Sequence, residues 1–225
     1  MVKSVSIAKS AAPAAGNEGL AELGDHTDVP AANPRSRQKA ERTDLLLQEA
    51  ARLFARKGFR GVSLEEIASA VGISGPALYR HFSNKQAILT AVLEDVSVRL
   101  LEGGRARVTT ASSPDQALER LVDFHADFAL GETDRIRVHN RDLATLSEQS
   151  AGPVRQAQRD YVELWVDQLV AICRSAGKPA ERDLARLKAQ AGIGLLNSTP
   201  HSVRHGDPAA VKPVLVHMTL AALLA

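Results

Sequence analysis

The sequence predicts an all-α protein in which a small N-terminal helical unit precedes a larger helical domain. Three observations carry this prediction. Apolar residues recur at three- and four-residue spacing from Arg42 onward, serine-led capping patterns open several of those stretches, and Gly- and Pro-rich breaks separate them. No internal repeat is visible.

Residues 1–34 are rich in Ala, Pro, Gly, Asn and Ser and have no apolar period, so their composition predicts a disordered tail. The first helix follows, with Leu46, Ala50, Leu53 and Phe54 on one stripe and Gly58 as its C-cap. Ser63-Leu64-Glu65-Glu66 reads as a capping box, opening a short helix that carries Leu64, Ile67, Ala68 and Val71 and ends at Gly72. Ser74 caps the next helix, with Pro76 in its first turn and Leu78 and Phe82 as its buried edge. Ser83 with Gln86 reads as a further capping box, and Ile88 through Leu100 continue as a long amphipathic helix to a break at Gly103-Gly104.

Beyond Pro114 the period stays helical. Leu118, Leu121, Val122, His125 and Phe128 share a face, as do Ile136, His139, Leu143 and Leu146, although Arg135 to His139 also alternates as a strand would. A long helix is expected over 154–175, and a final pair over 181–196 and 207–225, with breaker-rich sequence between them.

The two short helices joined by Val71-Gly72-Ile73-Ser74 form a helix-turn-helix unit. Such a unit places the N-terminal end of its second helix in the major groove, where the small residues Ser74, Gly75 and Ala77 permit close approach. Tyr79, Arg80 and His81 lie on the outward face, Lys85 follows as a point charge for phosphate, and the Ser63 helix start offers a second phosphate site. Arg35, Arg37 and Lys39 precede the first helix and are placed to reach the minor groove or the backbone. Charge agrees with this: the net +2 of the chain resolves into −2 over 1–34, +5 over 35–85 and −1 over the remainder.

At these residues the chain resembles the TetR-type repressors, named after the tetracycline repressor. The resemblance runs from about Arg42 to Leu93, through Ile67-Ala68, Gly72-Ile73-Ser74, Leu78-Tyr79-Arg80-His81-Phe82 and Lys85. It implies a homodimer of about nine helices per subunit: the first three read DNA, the last two build a four-helix dimer bundle, and a ligand pocket lies within the C-terminal domain. Ser63, Ser74, Ala77, Tyr79, His81 and Lys85 match family positions that often contact DNA. The C-terminal half matches no pattern that carries sensor residues across.

A sensor needs an apolar cavity holding a few polar groups. Periodicity sets His125, His139 and Gln168 on apolar stripes, with Phe124, Phe128, Tyr161 and Trp165 close in the pattern, and these seven are the pocket candidates. Arg135, Arg137 and Arg141 form a cationic cluster that either is solvated or holds a carboxylate or the phosphates of an acyl-CoA. The last helix is apolar nearly all round, and Ala189, Ala191, Gly192 and Gly194 on its neighbour suit a subunit interface.

Other function classes find little support. Gly72-Ile73-Ser74-Gly75 lacks the spacing and the strand of a nucleophile elbow, and Gly192-Ile193-Gly194 lacks the third glycine of a dinucleotide site. His201 and His205 stand in a Pro-containing loop without a third metal ligand, so no metal, cofactor or catalytic residue is expected. One cysteine, Cys173, fits a reducing compartment, and no apolar run is long enough for a bilayer, which together predict a cytoplasmic protein without a membrane partner. The division expected is 1–34 tail, 35–84 helix-turn-helix DNA-binding domain and 85–225 ligand-sensing and dimerisation domain. The partners expected are double-stranded operator DNA, a second copy of the chain, and a small-molecule effector that releases this repressor from its operator.

Overall fold

The computed structural model describes residues 34–198 and 207–225. The expected tail, apart from Pro34, and the loop histidines His201 and His205 lie outside them. Among the described residues the chain is helical throughout, without a strand: α1 (Pro34–Lys57), α2 (Leu64–Ala70), α3 (Gly75–Tyr79), α4 (Lys85–Thr109), α5 (Pro114–Gly131), α6 (Thr133–Asp142), α7 (Glu148–Ser175), α8 (Arg182–Asn197) and α9 (Pro208–Leu224), with a 3₁₀ turn at Leu143–Thr145.

Most helix starts follow from their caps. Ser63 accepts from the Glu66 amide at 3.1 Å, Ser74 from Ala77 at 3.4 Å and Ser113 from Gln116 at 3.2 Å, each removing one unpaired donor, an effect of about 1 kcal/mol. Three boundaries differ from expectation. The first helix begins at Pro34, about three turns before its apolar stripe, so Arg35, Arg37 and Lys39 belong to the helix and do not form an arm preceding it. The cap of α4 is Asn84, whose Oδ1 accepts from the Ala87 amide at 2.8 Å, in place of Ser83. The long α7 starts at Glu148, capped by Ser147, because Ala151 is drawn fully into the core ahead of Pro153.

The expected break at Gly103-Gly104 is absent, and α4 runs through it to Thr109. The pair serves close packing. A Cβ at Gly103 would stand 2.2 Å from the Phe124 ring, and one at Gly104 2.8 Å from the Tyr161 ring. Missing side chains let α5 and α7 lie against α4, which outweighs the helical cost of glycine, about 1 kcal/mol each.

Two apolar cores share α4. Ile88 to Leu93 pack with Phe54, Ile67 and Leu78 in the first, and Val96 to Leu101 pack with Leu121, Trp165 and Leu169 in the second. The first core also takes Val138 from α6 and Val154 from α7, so the N-terminal helices rest on C-terminal ones. In the final pair, Ala189 is buried and a Cβ at Gly192 would stand 3.1 Å from the Leu223 side chain, so these two small residues close α8 on α9 within the subunit. Leu187 and Val214 remain exposed, at 63% and 57%.

Replacing Gly104 by Val is expected to destabilise the fold by about 1–3 kcal/mol through overpacking against Tyr161 and Leu164. Urea unfolding followed by circular dichroism checks this, and a midpoint equal to that of the wild type would refute the close-packing role.

Candidate DNA-reading face and ligand cavity

The turn between α2 and α3 has a simple origin. Gly72 adopts φ +68°, and the amides of Ile73 and Gly72 donate to the carbonyls of Ala68 and Ser69 at 3.0 and 3.1 Å. That pairing ends α2 in a left-handed cap and turns Ile73 inward onto the first core. Leu78, fully buried, then fixes the rotation of α3. Consequently Tyr79 is 52% exposed and Arg80 and His81 point outward, beside Ser74 and Ala77 near the helix start. Lys39, Arg42, Arg80 and His81 line a hollow of about 630 Å³ between α1 and the end of α3, so the fold brings part of the basic block together. Lys39 is exposed on α1; the side chains of Arg35 and Arg37 lie outside the described part.

Lys85 is less free than a solvated charge. Its Nζ donates to the Val62 carbonyl at 2.6 Å and sits 4.8 Å from the centre of the Phe59 ring, which ties the start of α4 to the segment before α2. Close by, Lys57 bonds the Glu66 carboxylate, and this contact, with the Ser63 backbone, holds Glu66 below the usual carboxylate range.

Two arginines of the α6 cluster, Arg135 and Arg141, hold the two halves together and are committed to protein partners. Arg135 is 2% exposed, and its guanidinium lies 2.7 Å from Asp44 on α1, 3.0 Å from Asp95 on α4 and 3.6 Å from Glu132. Burial raises the Asp95 carboxyl above its ordinary range, and Arg135 opposes this. Burial also raises Glu132, with repulsion from Asp44 and Asp95 adding to it. Arg141 donates to the Phe54 carbonyl at 2.9 Å while held by Asp142 at 2.6 Å. Arg137 pairs with Asp134 at 3.9 Å.

A cavity of about 760 Å³ opens among α4, α5, α6, α7 and α8. Of the seven pocket candidates, His125, His139 and Tyr161 line it. The other four do not: Trp165 is fully buried behind His125, Phe124 packs at Gly103 beneath Arg107, Phe128 lies under Arg99, and Gln168 donates back to its own helix at Leu164. Each sits on an apolar face, but on the part turned to a neighbouring helix. Periodicity missed Ser97, Gln158, Arg159 and Asn197, which also line the cavity. Asn197 ends α8 at the point where the sequence signals only a breaker.

His125 is wholly buried and bonded on both sides. The Tyr161 hydroxyl lies 2.9 Å from Nδ1 and the Asn197 Oδ1 lies 3.0 Å from Nε2, so Tyr161 donates to the ring and the ring donates to Asn197. Burial, aided by the His139 imidazole and opposed by the Asn197 bond, pushes the His125 pKa down to about 4. His139 is likewise lowered by burial, and its Nε2 accepts from the Gln158 amide at 2.6 Å. Tyr161 is pushed up by burial. The unfolded chain therefore binds more protons than the native one between the ordinary histidine value of 6.5 and about 4, so stability falls as pH drops through that window. The loss from His125 is on the order of 3 kcal/mol. It should be smaller in His125→Gln, as read from urea midpoints of both proteins across the same pH series, in which the contributions of Asp95, Glu132 and His139 are shared. Equal losses in the two proteins would contradict a neutral buried His125.

Comparison with known proteins bears on both halves. Residues 46–92 match the model of bacterial regulatory proteins of the tetR family, and residues 111–201 match the tetracyclin repressor-like C-terminal domain. The transcriptional activator FasR of Mycolicibacterium smegmatis is 30% identical over 165 residues, covering 73% of this chain and 72% of FasR. The transcriptional repressor KstR2 of the same organism is 31% identical over 138 residues, covering 58% and 64%. The structure of FadR from Bacillus subtilis in complex with stearoyl-CoA shares the fold, with a TM-score of 0.65 and 15% identity over 80% of this chain and 98% of that one. With a helix-turn-helix at residues 64–79 and a helical C-terminal domain behind it, the chain belongs to the TetR family of DNA-binding transcription regulators, which are not enzymes.

Proposed function

We propose that this protein is a repressor that holds its operator as a homodimer and leaves it when a hydrophobic small molecule, an acyl-CoA being one candidate class, fills the 760 Å³ cavity. One helix carries this reading. On α6, His139 lines the cavity, while Arg135 and Arg141 grip Asp44 and the Phe54 carbonyl of α1. A ligand that shifts His139 moves the guanidiniums that seat the DNA-reading helices. The α4 helix supplies a second link, since Lys85 lies beside the reading unit and Ser97 and Leu100 face the cavity.

The division at about residues 34 and 84, and the DNA contacts of Arg35, Arg37, Lys39, Ser63, Ser74, Gly75, Ala77, Tyr79, Arg80, His81 and Lys85, are part of the same proposal. The exposed Leu184, Leu187, Val214 and Met218 on α8 and α9 support a dimer seam, because single monomers rarely leave so many large apolar side chains outward on one helix pair. Two-fold pairing then sets the spacing of the recognition helices, roughly 34–36 Å between half-sites, and a small pivot of each reader costs simultaneous contact. The stearoyl-CoA bound by the B. subtilis FadR structure supports the acyl-CoA class.

Two outcomes follow. Lys85→Ala should weaken binding to specific and scrambled duplexes alike and lower the slope of log affinity against log salt by about one; an unchanged slope would leave Lys85 with only its Val62 clasp. A ligand found by thermal shift should bind more weakly when saturating operator duplex is present, and tenfold weakening corresponds to about 1.4 kcal/mol of coupling. Equal affinities would exclude release by this route, and tighter binding on DNA would make the ligand a co-repressor.

A further inference from the structure

The cavity changes character from its buried to its open end. At the buried end stand His125, Tyr161 and Ser97, all nearly inaccessible, with Asn197 and His139 beside them. The more exposed lining carries Arg155, Arg159 and Arg186 with the carboxylates of Asp160 and Glu163, of which Glu163 is held by Arg182 and Arg186 and Asp160 faces Arg105. Arg155 pairs with Glu148, itself a largely exposed partner, and Arg159 donates to the side-chain Oε1 of Gln156 at 2.6 Å.

The buried end contains hydrogen-bonding groups but no full charge. His125 is committed to Tyr161 and Asn197, and the Gln158 amide spends its donor on His139. A carboxylate placed there would meet no cation, and an unpaired buried charge is too costly to be tolerated. A plain hydrocarbon end would be accepted sterically, yet it would strip water from the Asn197 amide, whose Nδ2 donates no hydrogen bond among the described residues. An uncharged oxygen satisfies that donor by accepting from Asn197, beside the buried Tyr161 ring. Leu100, Val162 and Ile193 supply the apolar part of the lining.

Building on the effector reading above, we propose that the cavity takes an amphiphile with two distinct ends. An uncharged oxygen function, a hydroxyl or a ketone, is buried against Asn197 and Tyr161, and an anionic group stays at the rim with Arg159 and Arg155. The protein thereby distinguishes oxygenated chains from saturated ones and from chains charged at both ends.

Three probes of equal chain length test this: ω-hydroxydodecanoate, dodecanoate and dodecanedioate. The chain has one tryptophan, Trp165, whose ring centre lies 6.0 Å from that of His125, so its fluorescence reports occupancy of the buried end. Calorimetry gives affinities independently. The ω-hydroxy acid should bind at least about tenfold tighter than the diacid and several-fold tighter than dodecanoate, the discrimination that a polar pocket exerts on a partner of the wrong polarity. Asn197→Leu should abolish its advantage over dodecanoate while leaving dodecanoate binding intact, which also shows that the variant is folded. Arg159→Gln with Arg155→Gln should weaken both monoacids alike. Failure of the ω-hydroxy acid to bind at millimolar concentration, or equal affinity for the diacid, overturns the proposal. Operator affinity is measured separately on labelled duplex. Binding with the stated preference but without operator release keeps this inference and removes the inducer role. Release by probes that show no preference does the reverse.

Discussion

The seating of the reading helices depends on one buried cation. Arg135 is enclosed at the meeting point of α1, α4 and the start of α6, and its charge is tolerable there only because Asp44, Asp95 and Glu132 surround it. Ion pairs of this kind add little net stability, because desolvation consumes most of the attraction. Removing one partner is nonetheless expensive, about 3–5 kcal/mol, since it leaves charge without compensation. Such an arrangement therefore acts as a register pin: it disfavours intermediate positions of α1 against α6 more than it deepens the native one. Arg141, anchored by Asp142 and reaching the Phe54 carbonyl, marks a second point on the same boundary.

Much of the reading unit was legible because its determinants are local. Ser63, Gly72 and Ser74 act within four residues of themselves, and Leu78 at helical spacing from Phe82 fixes which face of α3 turns outward. The cavity was less legible for a physical reason. His125, His139 and Tyr161 stand out as polar or aromatic residues on apolar stripes, and they do line it. Phe124, Phe128, Trp165 and Gln168 obey the same periodicity, but which side of a stripe meets a void and which meets a helix is decided by helix crossings that no window of sequence contains. Asn197 reaches His125 across 72 residues.

The misread features share a cause. Gly103-Gly104 looks like a break because glycine ends helices in isolation, yet packed against Phe124 and Tyr161 the absence of side chains is what the site requires. Arg135 looks like surface charge because arginine usually is, and only the fold brings Asp44 to it from 91 residues away. In each case a local propensity was overridden by a partner distant in sequence.

The contact between Lys85 and the Val62 carbonyl encloses α2, the turn and α3 in a single loop joined 23 residues apart. Closing a segment of that length removes conformational freedom that the loop would otherwise regain on local opening. The helix-turn-helix is thus tied at its two ends as well as through Ile67 and Leu78, which pack into the first core with Phe54 and Ile88. Should phosphate draw the ammonium outward, the tie at the ends would slacken as the complex forms, so part of the electrostatic gain at that position would be spent on local disorder. In that case the same lysine would set both how firmly the unit holds its shape in free solution and how readily it adapts to the groove.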